Sequence, residues 1–191
     1  MEKLKCLICG MNISENSYHL NNDSFIEKNE EGRIMNCPFC GVGRIYIDSV
    51  QEIYTVDHKS LDTQSLQVLD HAMKLEVFNG EFYEEAGKLS KEKELKKLFK
   101  DLSNIEFMHA RVHKRLGEFD NLPKLHKPDY AKHHTDNLLL EEAYKRESHA
   151  IAFYKKNSDK ITCPVIKEVF KALSDVEKQH QFIANAYVLR K

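Results

Sequence analysis

The feature that most constrains this chain is an internal match at a fixed offset of 71 residues. Lys74, Glu76, Phe82 and Tyr83 recur as Lys145, Glu147, Phe153 and Tyr154. Phe99, Lys100, Leu102, Ser103, Glu106 and His109 recur as Phe170, Lys171, Leu173, Ser174, Glu177 and His180, with no gap. Such a match means that one structural unit is used twice. From about Leu61 onward glycine and proline are scarce and apolar residues return at three- and four-residue steps, so the unit is a helical hairpin and the chain holds four helices. The pattern predicts helices over 62–88, 91–117, 135–157 and 163–190. Asp62 or Thr63, Ser90, Thr135 and Thr162 suit N-caps, and Pro164 suits a first helical turn. Between the hairpins, Pro123 and Pro128 exclude continuous helix from Gly117 to His134, a connection long enough to cross the bundle from end to end.

The inward faces carry charge. The first helix aligns Leu66, Leu69, Met73, Glu76, Gly80, Tyr83 and Gly87 on one seam, the buried stripe of a bundle helix with a glutamate inside it. Glu106 and His109 interrupt the second seam, Glu147 the third, and Glu177 and His180 the fourth. Four carboxylates at similar depth in a helical core cost many kcal/mol if left ionised and unpaired, and the lysines fall mostly off the seams. Two divalent cations balance the four negative charges, and two imidazoles complete their shells. Each Glu-x-x-His pair shares a helix face, and two such pairs plus one glutamate from each remaining helix is the ligand pattern of ferritin-like di-iron and di-manganese proteins. Tyr83 and Tyr154 lie seven residues beyond Glu76 and Glu147, placed either to hydrogen-bond a ligating carboxylate of another helix or to pack. His113 reads as packing, because its repeat counterpart is Ala184. His71, His126, His133, His134 and His149 read as surface or capping residues, and Cys163 as a cap of the fourth helix.

The first 50 residues are of another kind. Cys6-Leu7-Ile8-Cys9-Gly10 and Cys37-Pro38-Phe39-Cys40-Gly41 are two Cys-x-x-Cys-Gly knuckles, whose tight turns aim four sulfurs at one ion. Asn29 to Arg33 reads as a hairpin turn between Phe25-Ile26 and Ile34-Met35, followed by a short strand over Arg44 to Ile47. So few large apolar groups do not make a core alone, and a bound metal is expected to supply folding free energy, on the order of 10 kcal/mol. The organisation expected is a β-rich four-cysteine module over 1–50, a linker over 51–61 and a helical bundle over 62–191.

A formal charge of −1 with interspersed signs leaves no concentrated positive field, which argues against nucleic acid. No run approaches the roughly 20 apolar residues of a membrane span, and Met1 to Cys9 lacks a signal-peptide core. A cytoplasmic protein is expected, and in that reducing setting paired cysteines favour metal over disulfide.

Cys37 to Gly43 resembles the second knuckle of rubredoxins, whereas Met11 stands where their first knuckle usually carries an aromatic. Iron there makes a one-electron relay, zinc an inert ribbon. A rubredoxin-like double knuckle joined to a ferritin-like bundle with duplicated ligands resembles the rubrerythrins over nearly the whole chain, in the order of the reverse rubrerythrins, with the iron–sulfur module first. The resemblance implies two iron ions on Glu76, Glu106, His109, Glu147, Glu177 and His180 and one on Cys6, Cys9, Cys37 and Cys40. Iron, manganese and zinc all suit the bundle ligands by chemistry alone. It further implies an NAD(P)H-linked peroxide reductase, fed by a separate reductase, in which hydrogen peroxide takes two electrons and leaves as water. Electrons would return singly from the four-cysteine iron, across a head-to-tail homodimer as in rubrerythrins. The rival readings are a ferroxidase or oxidase using oxygen, and a non-catalytic metal-binding or sensing protein with a structural zinc ribbon. One position departs from the family pattern. Ala150 stands three residues after Glu147, where rubrerythrins carry a further glutamate that exchanges with a histidine as the centre changes redox state.

Overall fold

The computed structural model describes residues 4–126, 128–130 and 132–189. Its helices are α1 (Thr63–Leu89), α2 (Lys93–Leu116), α3 (Asp136–Ser158) and α4 (Pro164–Leu189). The expected end of α4 at residue 190 lies outside the described residues. Among the described residues no helix is long and apolar enough to cross a membrane.

Two of the expected caps hold and two are replaced. Asp62 accepts the Ser65 amide at 2.6 Å and Thr135 that of Leu138 at 3.3 Å. Ser90 instead closes α1, and its hydroxyl donates to Asp136 Oδ1 at 2.9 Å. The same Asp136 carboxylate accepts the Lys91 and Glu92 amides, so the first residue of α3 satisfies donors at the start of α2. Pro164 does open α4, but the cap in front of it is Cys163, whose carbonyl accepts the Lys167 amide; Thr162 turns away toward Asp62.

α1 packs along α2 and α3 along α4, and the hairpins meet through α1 against α3 and α2 against α4. Every seam therefore looks into one interior. Phe82, Tyr83, Phe99, Leu102, Leu140 and Ala184 fill its middle at one end, and Val169, Phe170, Leu173 and Ile105 at the other. Tyr130, in the connection between hairpins, stands edge-on to Phe82 with ring centres 5.4 Å apart.

The N-terminal module holds β1 (Leu4–Cys6), β2 (Asn12–Ile13) and β3 (Ile47–Asp48) in an antiparallel sheet of order β2-β1-β3. The expected hairpin differs in part. Glu30 and Arg33 exchange both backbone hydrogen bonds at 3.0 Å around Gly32, whose φ is +74°, yet no strands flank this turn. The buried Asn29 amide takes the place of a ladder. Its oxygen accepts the Met35 and Asn36 amides and its nitrogen donates to the Asn36 carbonyl. Arg44 to Tyr46 is likewise a 3-10 turn, with strand only from Ile47.

The module does not stand apart from the bundle. Ile8, Phe25, Val42 and Ile47 form one apolar cluster with Val68, Leu69, Val112 and Val176 of the helices. Gly41 has φ +76°, and a Cβ there would come within 2.8 Å of Val176 Cγ1, so only glycine lets the second knuckle seat on α4. Residues 51–61 are strapped down rather than free. Tyr54 donates its amide to the Leu7 carbonyl, and Ile53, Tyr54 and Val56 lie half-buried or packed on the core. Polar ties reinforce the seat: Tyr46 donates to Glu168 at 2.6 Å, and the Asp23 amide to Asp101.

Candidate metal centres

The bundle site follows from the seams. Glu76 comes from α1, Glu106 and His109 from α2, Glu147 from α3, and Glu177 and His180 from α4, and all six are sealed from solvent. Their donor atoms form two groups, each drawn together within 4.8 Å. One is Glu76, Glu106, His109 and Glu177; the other is Glu106, Glu147, Glu177 and His180. Glu106 and Glu177 belong to both. The arrangement is therefore two adjoining pockets, each with a carboxylate and an imidazole of its own and two carboxylates in common.

The electrostatics show what such a set needs. Burial, then the Glu177 and Glu106 charges, push the Glu76 carboxyl far above the usual range, and burial with Glu106 and Glu177 does the same to Glu147. Burial disfavours a charged ring at His109 and His180, but the neighbouring carboxylates outweigh it and raise both pKa values. Burial also opposes an ionised Glu106, yet His109 facing it and the hydrogen bond of His180 overcome that and keep its pKa far down. Protons thus take the place of cations. They do so incompletely: among the described residues, the buried side-chain atoms without a hydrogen bond include one oxygen each of Glu76, Glu106 and Glu147, both of Glu177, and one nitrogen each of His109 and His180. His109 Nδ1 lies 2.9 Å from Glu177 Oε1 without hydrogen-bond alignment. Lone pairs that converge without bonding one another are what metal ligation requires, so the residues present fit two bound cations.

Tyr83 and Tyr154 sit behind this set. Tyr83 donates to Glu147 and Tyr154 to Glu76, each reaching a carboxylate of the other hairpin. Here the repeat loses its symmetry. His113 Nε2 lies 2.8 Å from the Tyr154 oxygen, giving a chain His113–Tyr154–Glu76, whereas Ala184 at the matching position of α4 offers Tyr83 nothing. Burial and His109 hold the His113 pKa down at about 3, so its ring is neutral. Because the Tyr154 hydroxyl is already donating, Nε2–H must donate to it. The repeat carries no trace of this link, because the counterpart of His113 is an alanine. Tyr154→Phe leaves that donor unpaired and Tyr83→Phe does not, so Tyr154→Phe should cost more stability, by about 1–3 kcal/mol. Chemical denaturation of both variants measures the difference; equal losses would sever His113 from the chain.

In the module, Cys6 and Cys40 Sγ are 3.6 Å apart and Cys9 and Cys37 Sγ 3.7 Å. A tetrahedron with metal–sulfur bonds of about 2.3 Å has edges of about 3.8 Å, so four free cysteines already stand at the spacing of a bound ion. Hydrogen bonds from Cys37, Cys40 and Cys9 draw the Cys6 thiol well down, while burial pushes Cys37 and Cys40 well up. Cys9 alone of the four is partly exposed.

The two sites touch. His109 Nε2 lies 2.8 Å from the backbone oxygen of Cys40. A carbonyl only accepts, so Nε2 carries a hydrogen, and Nδ1 is the nitrogen that faces the carboxylates and is left to ligate when a cation displaces its proton. Sequence spacing held no sign of this contact, which joins residues 69 positions apart.

Residues 67–188 match the family model described as Rubrerythrin. No curated protein and no solved structure matches the chain.

Proposed function

This chain belongs to the rubrerythrin family, and on that premise we propose that it is a non-haem di-iron peroxide reductase, turning hydrogen peroxide into water with electrons relayed through iron held by Cys6, Cys9, Cys37 and Cys40. Glu76, Glu106, His109 and Glu177 would hold one iron of the bundle, and Glu106, Glu147, Glu177 and His180 the other. When bound, the ferrous pair supplies Lewis acidity and the two electrons that O–O cleavage consumes.

The remaining work belongs to the protein. Glu106 and Glu177 serve both pockets and hold them adjacent. Tyr83 and Tyr154 fix the orientation of Glu147 and Glu76, leaving one oxygen of each facing inward. Sealed helix faces keep bulk water out. His109 is pinned by Cys40, and the buried Ala150, three residues after Glu147, brings no further carboxylate to the set.

The observation that carries this reading is the His109–Cys40 hydrogen bond. It places a ligand residue of one site in direct contact with a ligand residue of the other inside a single chain. Electrons from a separate NAD(P)H-dependent reductase would reach the four-cysteine iron at its partly exposed Cys9 edge and pass inward through this link. Rapid mixing of the reduced, iron-loaded chain tests the assignment. Reoxidation by hydrogen peroxide should outpace reoxidation by oxygen at least tenfold. Equal or faster reaction with oxygen would move the protein to the oxidases, and a colourless, zinc-filled module would remove the relay.

A further inference from the structure

A second residue of α2 reaches the cysteine module. Arg115, in the last turn of the helix that carries Glu106 and His109, lies half-buried with its guanidinium turned to the first knuckle. One nitrogen donates to the Ile8 carbonyl at 2.5 Å, between Cys6 and Cys9 in sequence, and the other to the Tyr54 carbonyl at 2.8 Å. These two bonds hold a charge against the thiolate cluster in a place shielded from water. Burial lowers the Arg115 pKa and the Cys9, Cys6 and Cys40 charges act against that, which marks the guanidinium as lying within the field of three of the four sulfurs. An arginine remains charged in such a setting.

We propose that Arg115 sets the reduction potential of the four-cysteine centre, holding it above the value the module would have without that charge. The inference rests on reading the centre as an iron relay. Four thiolates around ferric iron carry a net charge of −1. One electron, with no proton taken up, makes it −2. A fixed positive charge favours the dianion over the monoanion, and the preference is strengthened where water is scarce. Arg115 is thus a positioning residue of charge rather than a ligand. It makes the outer centre a better electron acceptor from the reductase, and it does so from the helix that supplies His109 to the inner one.

The test is a redox titration of the full, iron-loaded chain, followed through its visible thiolate-to-iron absorption. Arg115→Gln keeps a donor and removes the charge. At the wild-type midpoint potential its ratio of reduced to oxidised centre should fall about tenfold, a shift of 59 mV for one electron. Arg115→Lys keeps the charge without the fork and should stay much closer to wild type. Loosening of the module would act in the opposite direction, because admitted water solvates the dianion better than the monoanion. A midpoint that is unchanged or raised in Arg115→Gln overturns the proposal, as does an Arg115→Lys indistinguishable from Arg115→Gln. Arg115→Met, of similar length, serves if Arg115→Gln fails to retain iron. A wild-type chain that takes only zinc overturns the relay reading itself, whereas a red Arg115→Gln protein with an unmoved midpoint overturns this inference alone.

Discussion

Glu177→Ala is expected to empty both metal pockets of the bundle, whereas Glu76→Ala should empty one. The difference follows from geometry. Glu177 stands in both four-residue groups and Glu76 in only one. Removing an outer-shell partner of a metal ligand already costs about 10–100-fold in affinity, and removing a shared ligand should exceed that for both ions. The bundle should fall from two metals per chain to fewer than one, and the proposed peroxide turnover should be lost with them. The metal-free Glu177→Ala protein should nonetheless remain folded, since deleting one of four crowded acids relieves repulsion that burial makes expensive. Metal analysis alongside far-ultraviolet circular dichroism checks both halves. Glu177→Ala protein that keeps two bundle ions would remove the carboxylate from the shared position.

The second large effect is that of metal removal, and it grows with pH. Each ion present at a thousandfold above its dissociation constant adds about 4 kcal/mol, so the two ions of the bundle alone add about 8 kcal/mol. At roughly 2–4 °C per kcal/mol for a chain of this size, the melting temperature should drop by about 15–30 °C on chelation. Glu76, Glu147, His109 and His180 all have folded pKa values above their unfolded ones. A raised pKa gives stability that is complete below the unfolded value, about 4.3 for Glu and 6.5 for His, and that disappears as pH rises through the folded value. The metal-free chain should therefore weaken steadily from mildly acidic to alkaline pH. Glu106, with its lowered pKa, acts the other way and only in the acid limb. Bound cations displace those protons, so the loaded chain gains where the empty one loses. Melting curves at pH 5.5 and pH 8 should show the gap widening; a metal-free protein that gains stability toward pH 8 would contradict the proton-for-cation exchange.

What could be read from the sequence was whatever has a period. Alternating steps of three and four fix which side of a helix is buried, so the phase of Glu76, Glu106, Glu147 and Glu177 was legible before any packing was known. The two knuckles were legible because turn geometry is local. Contacts between segments distant along the chain leave no period. Asp136 satisfying the start of α2 and His113 reaching Tyr154 are both of that kind. The repeat itself misled at His113: duplication makes counterparts look equivalent, while a buried histidine answers to whatever hydroxyl the opposite helix presents. The module by itself is poor in apolar groups, and a count along its own 50 residues leaves out what the helices supply. Val68, Val112 and Val176 complete it from the bundle.

That completed core has a bearing on kinetics. With the second knuckle seated on Val176 and its carbonyl on His109, the separation of the two centres is a property of one molecule, like a bond length. On the proposed relay, transfer between them would be first order, as fast at nanomolar as at millimolar protein, and a cell holding very few copies would lose none of it to dilution.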